Sequence, residues 1–441
     1  MRRVLFGGLI FLLASFILLP PIGAAPRNPR GQGPPQRGPY VPDEVLVQFK
    51  PGVRPDTAAA AVGARVHDRI EGLNIHILKV PEGTVEATVR ALTNNPLVEF
   101  AEPNGYVHTF VDPNDPYDNP ASCSYQSSDG SFTCQWYWDK VQAYNAWDVT
   151  TGLATVKVAV VDTGIDVGGV SLFGVPDDKH PDLALCSRTV DLKSYIAGES
   201  GNDDNGHGTH VAGVIGACTN LAPPNDIGIA GANWNVRLMA IKVLDYSGSG
   251  TYSAVASGIR YAADNGANVI NLSLGGSSGS RTLQNAVNYA WTRNSVLVCA
   301  AGNSGNTASS YPARYERCLA VAATDQNDAR ASFSTYGSWV DVAAPGVRIL
   351  SLMQDNDWWC FLCYWYGYKS GYDSLSGTSM ATAVVSGLAA LIWAKPGLCS
   401  TNACVRNRIE GLAYTDNNGA YGIGPAPGRG RVNFYKALTA P

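Results

Sequence analysis

The sequence has no long run of one charge sign, and beyond residue 25 no apolar stretch long enough to span a bilayer. Its net charge is -4 and no basic stripe is present, so nothing offers a footprint for nucleic acid, and polyanions are not expected as partners. The ten cysteines include no C-x-x-C matched to a second C-x-x-C or to an H-x-x-x-H, which argues against zinc. Disulfides are the remaining use, and they imply an oxidising compartment. What is present is an ordinary globular balance, 45% hydrophobic and 15% charged over 441 residues, with room for roughly two or three domains.

The first residues agree with an oxidising destination. Arg2 and Arg3 precede an apolar run over 4–19, followed by the small residues Gly23, Ala24 and Ala25, the layout of a secretory signal peptide over 1–25. A retained anchor is the alternative, and the run is short for it. Residues 26–43, rich in Pro, Gly, Arg and Gln, read as a flexible linker.

Residues 44–109 have a periodicity of their own. Alternation over 44–50 predicts a strand, 55–62 an alanine-rich helix, 65–70 and 73–80 a hairpin about Glu71-Gly72, 84–92 a second helix and 97–101 a last strand. That order, β-α-β-β-α-β, is a ferredoxin-like α+β unit, and it carries no cluster that could do chemistry. From 110 to 441 the pattern changes to α/β. Apolar runs at 156–161, 236–243, 269–272, 296–301 and 319–323 are separated by helical patterns such as 252–265 and 282–293. This predicts a parallel sheet covered on both faces, with sites at the carboxyl ends of its strands. Asp162-Thr163-Gly164 and Ala301-Gly302-Asn303 stand at two such ends.

The stretch over 376–387, S-G-T-S-M-A-T-A-V-V-S-G, places Ser379 before a slim helix of small residues, with Gly377 expected to permit a sharp turn. The Ser379 hydroxyl and its own N–H can then both face a cleft. His207, in N-G-H-G-T-H-V-A-G, opens another small-residue helix. Alone, these are a capping serine and a buried histidine. An acid, a histidine and a serine in this chain order can also form a relay in which the imidazole takes the hydroxyl proton and the carboxylate holds the imidazole.

The segments V-V-D-T-G, G-H-G-T-H-V-A-G, A-A-G-N and S-G-T-S-M-A, in order between Asp115 and Leu438, resemble the subtilisin-like serine proteases, in particular their thermitase-like secreted branch. The resemblance implies a subtilisin-like three-layer fold with a mostly parallel central sheet. It implies Asp162 as orienting carboxylate, His207 as general base, Ser379 as nucleophile, and Asn303 with the Ser379 N–H as oxyanion donors. Asp166 and His210 lie close by, and His210, three residues past His207, is expected to pack inside. One departure is that Ala383 and Val384 stand where the family commonly has Pro-His.

By the same resemblance, Ser273-Leu274-Gly275 and Ala300-Ala301-Gly302 form two walls between which a peptide lies as an added strand, and Gly248 and Tyr252 mark the rim. No acidic cluster requires a basic side chain there, so recognition is expected to be broad. A calcium ion is implied on Asp115, Asp182, Asn225 and the carbonyls of Ile227 and Ile229, an all-oxygen set. A second, weaker site is implied near Ala313, Tyr315 and Asp341. The cysteines fall into neighbouring pairs, 123 with 134, 186 with 218, 299 with 318, 360 with 363 and 399 with 404, although 299 and 318 could equally be buried thiols. The family's short hairpin before the nucleophile is here enlarged over 353–372 and rich in aromatics, either a stapled loop or an exposed binding patch.

The expected protein is therefore a secreted, calcium-stabilised, monomeric endopeptidase made as a precursor, with residues 44–109 its propeptide and 110–441 its catalytic domain. Its partners are peptide or protein substrates and its own propeptide, with no nucleic acid and no membrane once the signal is removed. No domain is expected after the closing segment at 430–433. A processing protease of narrow specificity is the alternative, and would be expected to carry clustered acids in the cleft. A non-catalytic binding protein on this fold would be expected to have lost one of Asp162, His207, Ser379 or Asn303, and none is lost.

Overall fold

The strand Lys157–Asp162 is buried on both faces, Val158 and Val160 in one core and Ala159 and Val161 in another, so its sheet must be covered on both sides. The computed structural model describes residues 40–109, 125–128, 132–133, 135–170, 176–177, 180–184, 186, 188–219, 228–354, 371–423 and 429–441. Its nine-stranded sheet runs in the order Thr189–Ser194, Arg237–Lys242, Lys157–Asp162, Val269–Leu272, Val296–Ala300, Cys318–Thr324, Val342–Pro345, Arg431–Val432, Thr415–Asp416. All neighbours are parallel except the last pair. The chain enters at Lys157–Asp162, builds to one side, then returns to build from Val269–Leu272 on the other. Strand order reverses between these two, and the carboxyl ends there open a crevice.

All five expected strands are present. The sheet also contains Thr189–Ser194, Val342–Pro345, Arg431–Val432 and Thr415–Asp416, which are short or at an edge and so show too little periodicity to be read.

The helices His207–Gly216 and Thr378–Ala394 cover one face, and Tyr252–Asp264 and Arg281–Thr292 the other. In Thr378–Ala394 every residue but Trp393 is buried, as expected of a helix apolar all round. It continues unbroken through Ala383 and Val384, which fill the core without disturbing it. At Gly387 an added Cβ would lie 2.1 Å from the Cβ of Ala232, so the missing side chain sets how closely that loop can approach.

The N-terminal unit has the expected element order, with strands Tyr40–Phe49, Arg65–Ile70, Ile75–Lys79 and Val98–Thr109 and helices Pro55–Ala60 and Val85–Thr93. Its antiparallel sheet runs fourth, first, third, second. The last strand is longer than its own sheet requires. Its second half pairs antiparallel with Ser249–Thr251 on one side and Leu274–Gly275 on the other, so tertiary partners carry it past Ala101. One face of the unit is closed by its own helices, where Val45, Val47, Ala59 and Leu92 cluster. The other presents Leu46, Ile70, Leu73, Ile75, Ile77 and Phe100 to a core shared with Val255, Ile259 and Leu283.

Two polar side chains complete this contact. Glu102 accepts from the Ser280 hydroxyl (2.5 Å) and the N–H groups of Arg281 (2.7 Å) and Thr282 (2.9 Å). Asn104 accepts from the Ser253 N–H at 3.1 Å and donates to its hydroxyl at 2.7 Å. Both therefore satisfy orphan donors at the starts of the two covering helices.

Disulfides join Cys186 to Cys218, Cys299 to Cys318 and Cys399 to Cys404, as nearest-neighbour pairing predicts. Cys299 and Cys318 are thus bridged and are not buried thiols. The pairs 123 with 134 and 360 with 363, and most of the aromatic stretch 353–372, lie outside the described residues. Among the described residues no helix is long and apolar enough to cross a membrane.

Gly387→Ala should cost about 1–3 kcal/mol by overpacking. Gly279→Ala, where a Cβ would make only ordinary contact with Tyr311 at 3.4 Å, should stay within about 0.5 kcal/mol. Urea unfolding of the two variants checks this, and equal midpoints would mean that the helix backs away freely.

Candidate active site

Asp162 ends its strand wholly buried, and its Oδ1 accepts from the Thr163 N–H (2.7 Å) and from His207 Nδ1 (2.7 Å). His207 is the first residue of its helix and is also wholly buried. The turn before it is held by Asp203. Its Oδ1 accepts from Asn205 N (3.0 Å), Gly206 N (3.1 Å) and Thr163 Oγ1 (2.8 Å). Its Oδ2 accepts from Thr209 N (2.9 Å) and Oγ1 (2.7 Å). Gly208 donates its N–H to Thr163 Oγ1 at 2.9 Å, and a Cβ on Gly208 would lie 2.0 Å from the Gly164 carbonyl oxygen. The His207 helix therefore presses directly on the loop after Asp162, and that approach requires glycine.

The Nδ1–H bond to Asp162 fixes the tautomer and leaves His207 Nε2 bare, buried and without a hydrogen-bond partner. His210 lies differently: its Nε2 donates to the Ile349 carbonyl at 2.9 Å. Burial, with His207 beside it, pushes its pKa down to about 3, so it stays neutral. Asp166 is buried, with its backbone N–H donating to Thr209 Oγ1.

Ser379 is the second residue of its helix, where N–H groups have no intrahelical acceptor. Its hydroxyl donates to the Ser273 carbonyl at 3.0 Å. Beneath it runs a buried chain of bonds: Ser386 Oγ to Asn271 Oδ1 (2.8 Å), Asn271 Nδ2 to Ser273 Oγ (2.9 Å), Ser273 Oγ to the Ser379 carbonyl (2.9 Å). Asn303 accepts at Oδ1 from both the N–H and the hydroxyl of Thr378, each at 3.0 Å, which caps the Ser379 helix from the loop after Val296–Ala300 and fixes the amide's orientation. Its Nδ2 is buried with no partner. Gly377 is extended (φ 165°), so the turn expected there does not use backbone reserved to glycine.

Of the expected walls, Leu274 and Gly275 pair with Thr109 and His108. Ala300 and Ala301 are wholly buried, and the Ala301 N–H donates to Val321 within the central sheet at 3.0 Å. Gly302 donates its N–H to Thr378 Oγ1 at 3.1 Å. The second rail along the N-terminal unit's strand is Ser249–Thr251, in register with residues 106–108. Gly248 forms the turn before it, and Tyr252 lies buried just beyond, its hydroxyl donating to Ser278 O at 2.6 Å and burial pushing its pKa up to about 12.

Of the implied calcium ligands, Asp115, Asn225 and Ile227 lie outside the described residues. Among the described residues no cluster of three or more His, Cys, Asp or Glu side chains could hold a metal. Asp182 is buried, with Oδ2 accepting from Ile229 N at 3.0 Å and Oδ1 without a hydrogen-bond partner. Burial pushes its pKa up to about 6. A buried carboxylate with an orphan oxygen fits a hard cation. The Asp341 carboxylate is taken up by Ala320 N (2.9 Å), Arg406 (3.3 Å) and Arg429 (2.9 Å), so it has no orphan oxygen to offer the second implied site.

Asp203 and Asn271 were not singled out in the sequence. An acidic residue just before a helix is a legible capping signal, whereas nothing local marks Asn271. Buried polar atoms are ordinarily satisfied, and His207 Nε2 and Asn303 Nδ2 are two of the exceptions that stand at the carboxyl ends of this sheet.

Residues 154–424 match the subtilase family, and residues 26–104 match the fervidolysin N-terminal prodomain. The thermophilic serine proteinase of Bacillus sp. (strain AK1) is 43% identical over 92% of this chain and 89% of its own. Thermitase of Thermoactinomyces vulgaris is 46% identical over 71% of this chain and 99% of its own. Among solved structures, fervidolysin from Fervidobacterium pennivorans, described as a keratinolytic enzyme related to subtilisin, superposes with a TM-score of 0.68 at 25% identity. That match covers 93% of this chain and 62% of fervidolysin. A family match across more than half of the chain, joined to close identity with serine proteinases over most of its length, makes this protein a member of the subtilase family, a serine endopeptidase with an N-terminal prodomain.

Proposed function

We propose that Asp162, His207 and Ser379 are the catalytic triad, and Asn303 with the Ser379 N–H the oxyanion hole, of a secreted endopeptidase that processes its own precursor. The observation that carries this reading is the 2.7 Å bond of buried His207 to buried Asp162, which leaves Nε2 as a bare base. For reaction the Ser379 hydroxyl leaves the Ser273 carbonyl, gives its proton to Nε2 and attacks the scissile carbonyl. Such bonds are often formed only in the complex. Asn303 Nδ2 then donates to charge that develops in the transition state, where an unspent, preoriented donor is worth most.

Residues 1–25 act as the signal peptide, the prodomain runs to 109 and takes in the strand from Tyr40 that overlaps the linker expected over 26–43, and 110–441 is the peptidase. The prodomain strand lies between Ser249–Thr251 and Leu274–Gly275, where a peptide substrate would add, and so inhibits until cut. Recognition through backbone ladders supports broad specificity. Asp182 and Ile229, with Asp115, Asn225 and Ile227, would hold a calcium ion, whose charge offsets that of the buried carboxylate and ties their loops together.

A fluorophosphonate should label Ser379 in the mature protein, and an unlabelled Ser379 in folded enzyme would overturn the triad. Asn303→Ala should lower kcat about 10²–10³-fold, the range known for this donor in subtilisin, with little change in KM.

Excess chelator should lower the Tm of the mature enzyme, because an ion at about a thousand times its Kd adds roughly 4 kcal/mol. Asp182→Asn should shrink that difference. An unchanged Tm would remove calcium from the reading.

A purified Ser379→Ala precursor should remain uncut, whereas the parent should yield a new N-terminus between Tyr106 and Asp112. Glu102→Ala, which strips the cap from Ser280, Arg281 and Thr282, should weaken inhibition by the separated prodomain about tenfold, or roughly 1–2 kcal/mol. An unchanged inhibition constant would make the cap incidental.

A further inference from the structure

Lys242 is wholly buried at the end of the strand Arg237–Lys242, in register opposite Asp162. A lysine is almost never buried to this extent, and burying an unpaired ammonium is costly. Its Nζ donates to the Thr163 carbonyl at 2.8 Å and to Asp204 Oδ1 at 2.6 Å, and stands 3.2 Å from Glu199 Oε2. Burial alone would discharge the ammonium, but Asp204 and Glu199 outweigh it and hold the pKa above the ordinary lysine range. Replacing such an ion pair with apolar residues is often neutral or stabilising, so its stability contribution does not explain its presence.

Geometry supplies another explanation. Thr163 follows Asp162, and Asp204 lies three residues before His207. Thr163 is held at its hydroxyl by Asp203 and Gly208, and at its carbonyl by Lys242. Asp204 stands beside Asp203 in the turn that launches the His207 helix. The ammonium thus joins the loop that carries the acid to the turn that carries the base.

We propose that Lys242, with Asp204, is a positioning residue that sets the separation and angle of the Asp162–His207 pair. It touches no substrate and acts only through the two loops. This rests on the triad reading, which Ser379→Ala tests separately in the same assay: residual full activity there would refute the triad whatever Lys242 does.

The test compares mature Lys242→Met, Asp204→Asn and double-variant enzymes on a short chromogenic peptide, with kcat expressed per active site titrated by fluorophosphonate. Lys242→Met should lower kcat about ten- to a hundredfold, the scale of a small misplacement, with KM within about twofold. Its Tm should fall, because Asp204 and Glu199 lose their counter-charge, and the double variant should recover part of that fall. The downfield proton resonance of His207 Nδ1 should broaden or move, and the double variant should lose no more than the worse single one, because the pair acts as one brace. Full kcat with an unchanged resonance in Lys242→Met would overturn the proposal. So would a loss of activity matched by loss of titratable sites, which marks a merely structural role. If Lys242→Met fails to mature, Asp204→Asn decides by the same readouts, and a parental kcat there overturns the proposal.

Discussion

A carboxylate and an imidazole, both without solvent exposure, are held 2.7 Å apart on elements 45 residues apart in the chain. Charge in such a place is costly unless it is hydrogen-bonded, and Asp162 takes both of its bonds at Oδ1 while Oδ2 has none, so the pair depends on two loops held in register. Parallel strands deliver both loops to one edge of the sheet. Asp203 gathers the turn before His207 and ties it to Thr163, and the absence of a side chain at Gly208 lets the helix close on Gly164. Opposite them, Asn303 caps the Ser379 helix with its carbonyl and so turns its amide outward. One side chain thereby fixes the start of the Ser379 helix and leaves its Nδ2 without a partner.

The prodomain is held on neighbouring elements by different chemistry. Its last strand is hydrogen-bonded to rails on both sides, its apolar face shares a core with the two covering helices, and Glu102 and Asn104 satisfy their first N–H groups. Each of these hydrogen bonds satisfies backbone groups that would otherwise be left to solvent. Glu102 and Asn104 place the two covering helices relative to that strand.

The motifs around Asp162, His207, Asn303 and Ser379 were legible because each combines a chemical group with the small residues its local backbone demands, and because apolar runs marked the strands that carry them. Gly377 was misread in this respect, since its backbone is extended. The N-terminal unit was legible as a fold from its alternation, but its last strand was cut short. Residues past Ala101 lack a strand pattern, and their order comes from partners far along the chain.

By itself, the sequence determined which segments bury apolar faces, where helices begin, and which side chains could do chemistry, since all of these are local consequences of periodicity and residue type. Only the tertiary structure decided the strand order, the pairing of Cys299 with Cys318, the filling of Asp341 by Arg406 and Arg429, and the bond from Glu102 to Ser280, whose partners are 178 residues apart. The reason is that a hydrogen bond or ion pair depends on direction and distance in space. Along the chain, a carboxylate that will cap a remote helix looks the same as one that will remain in water.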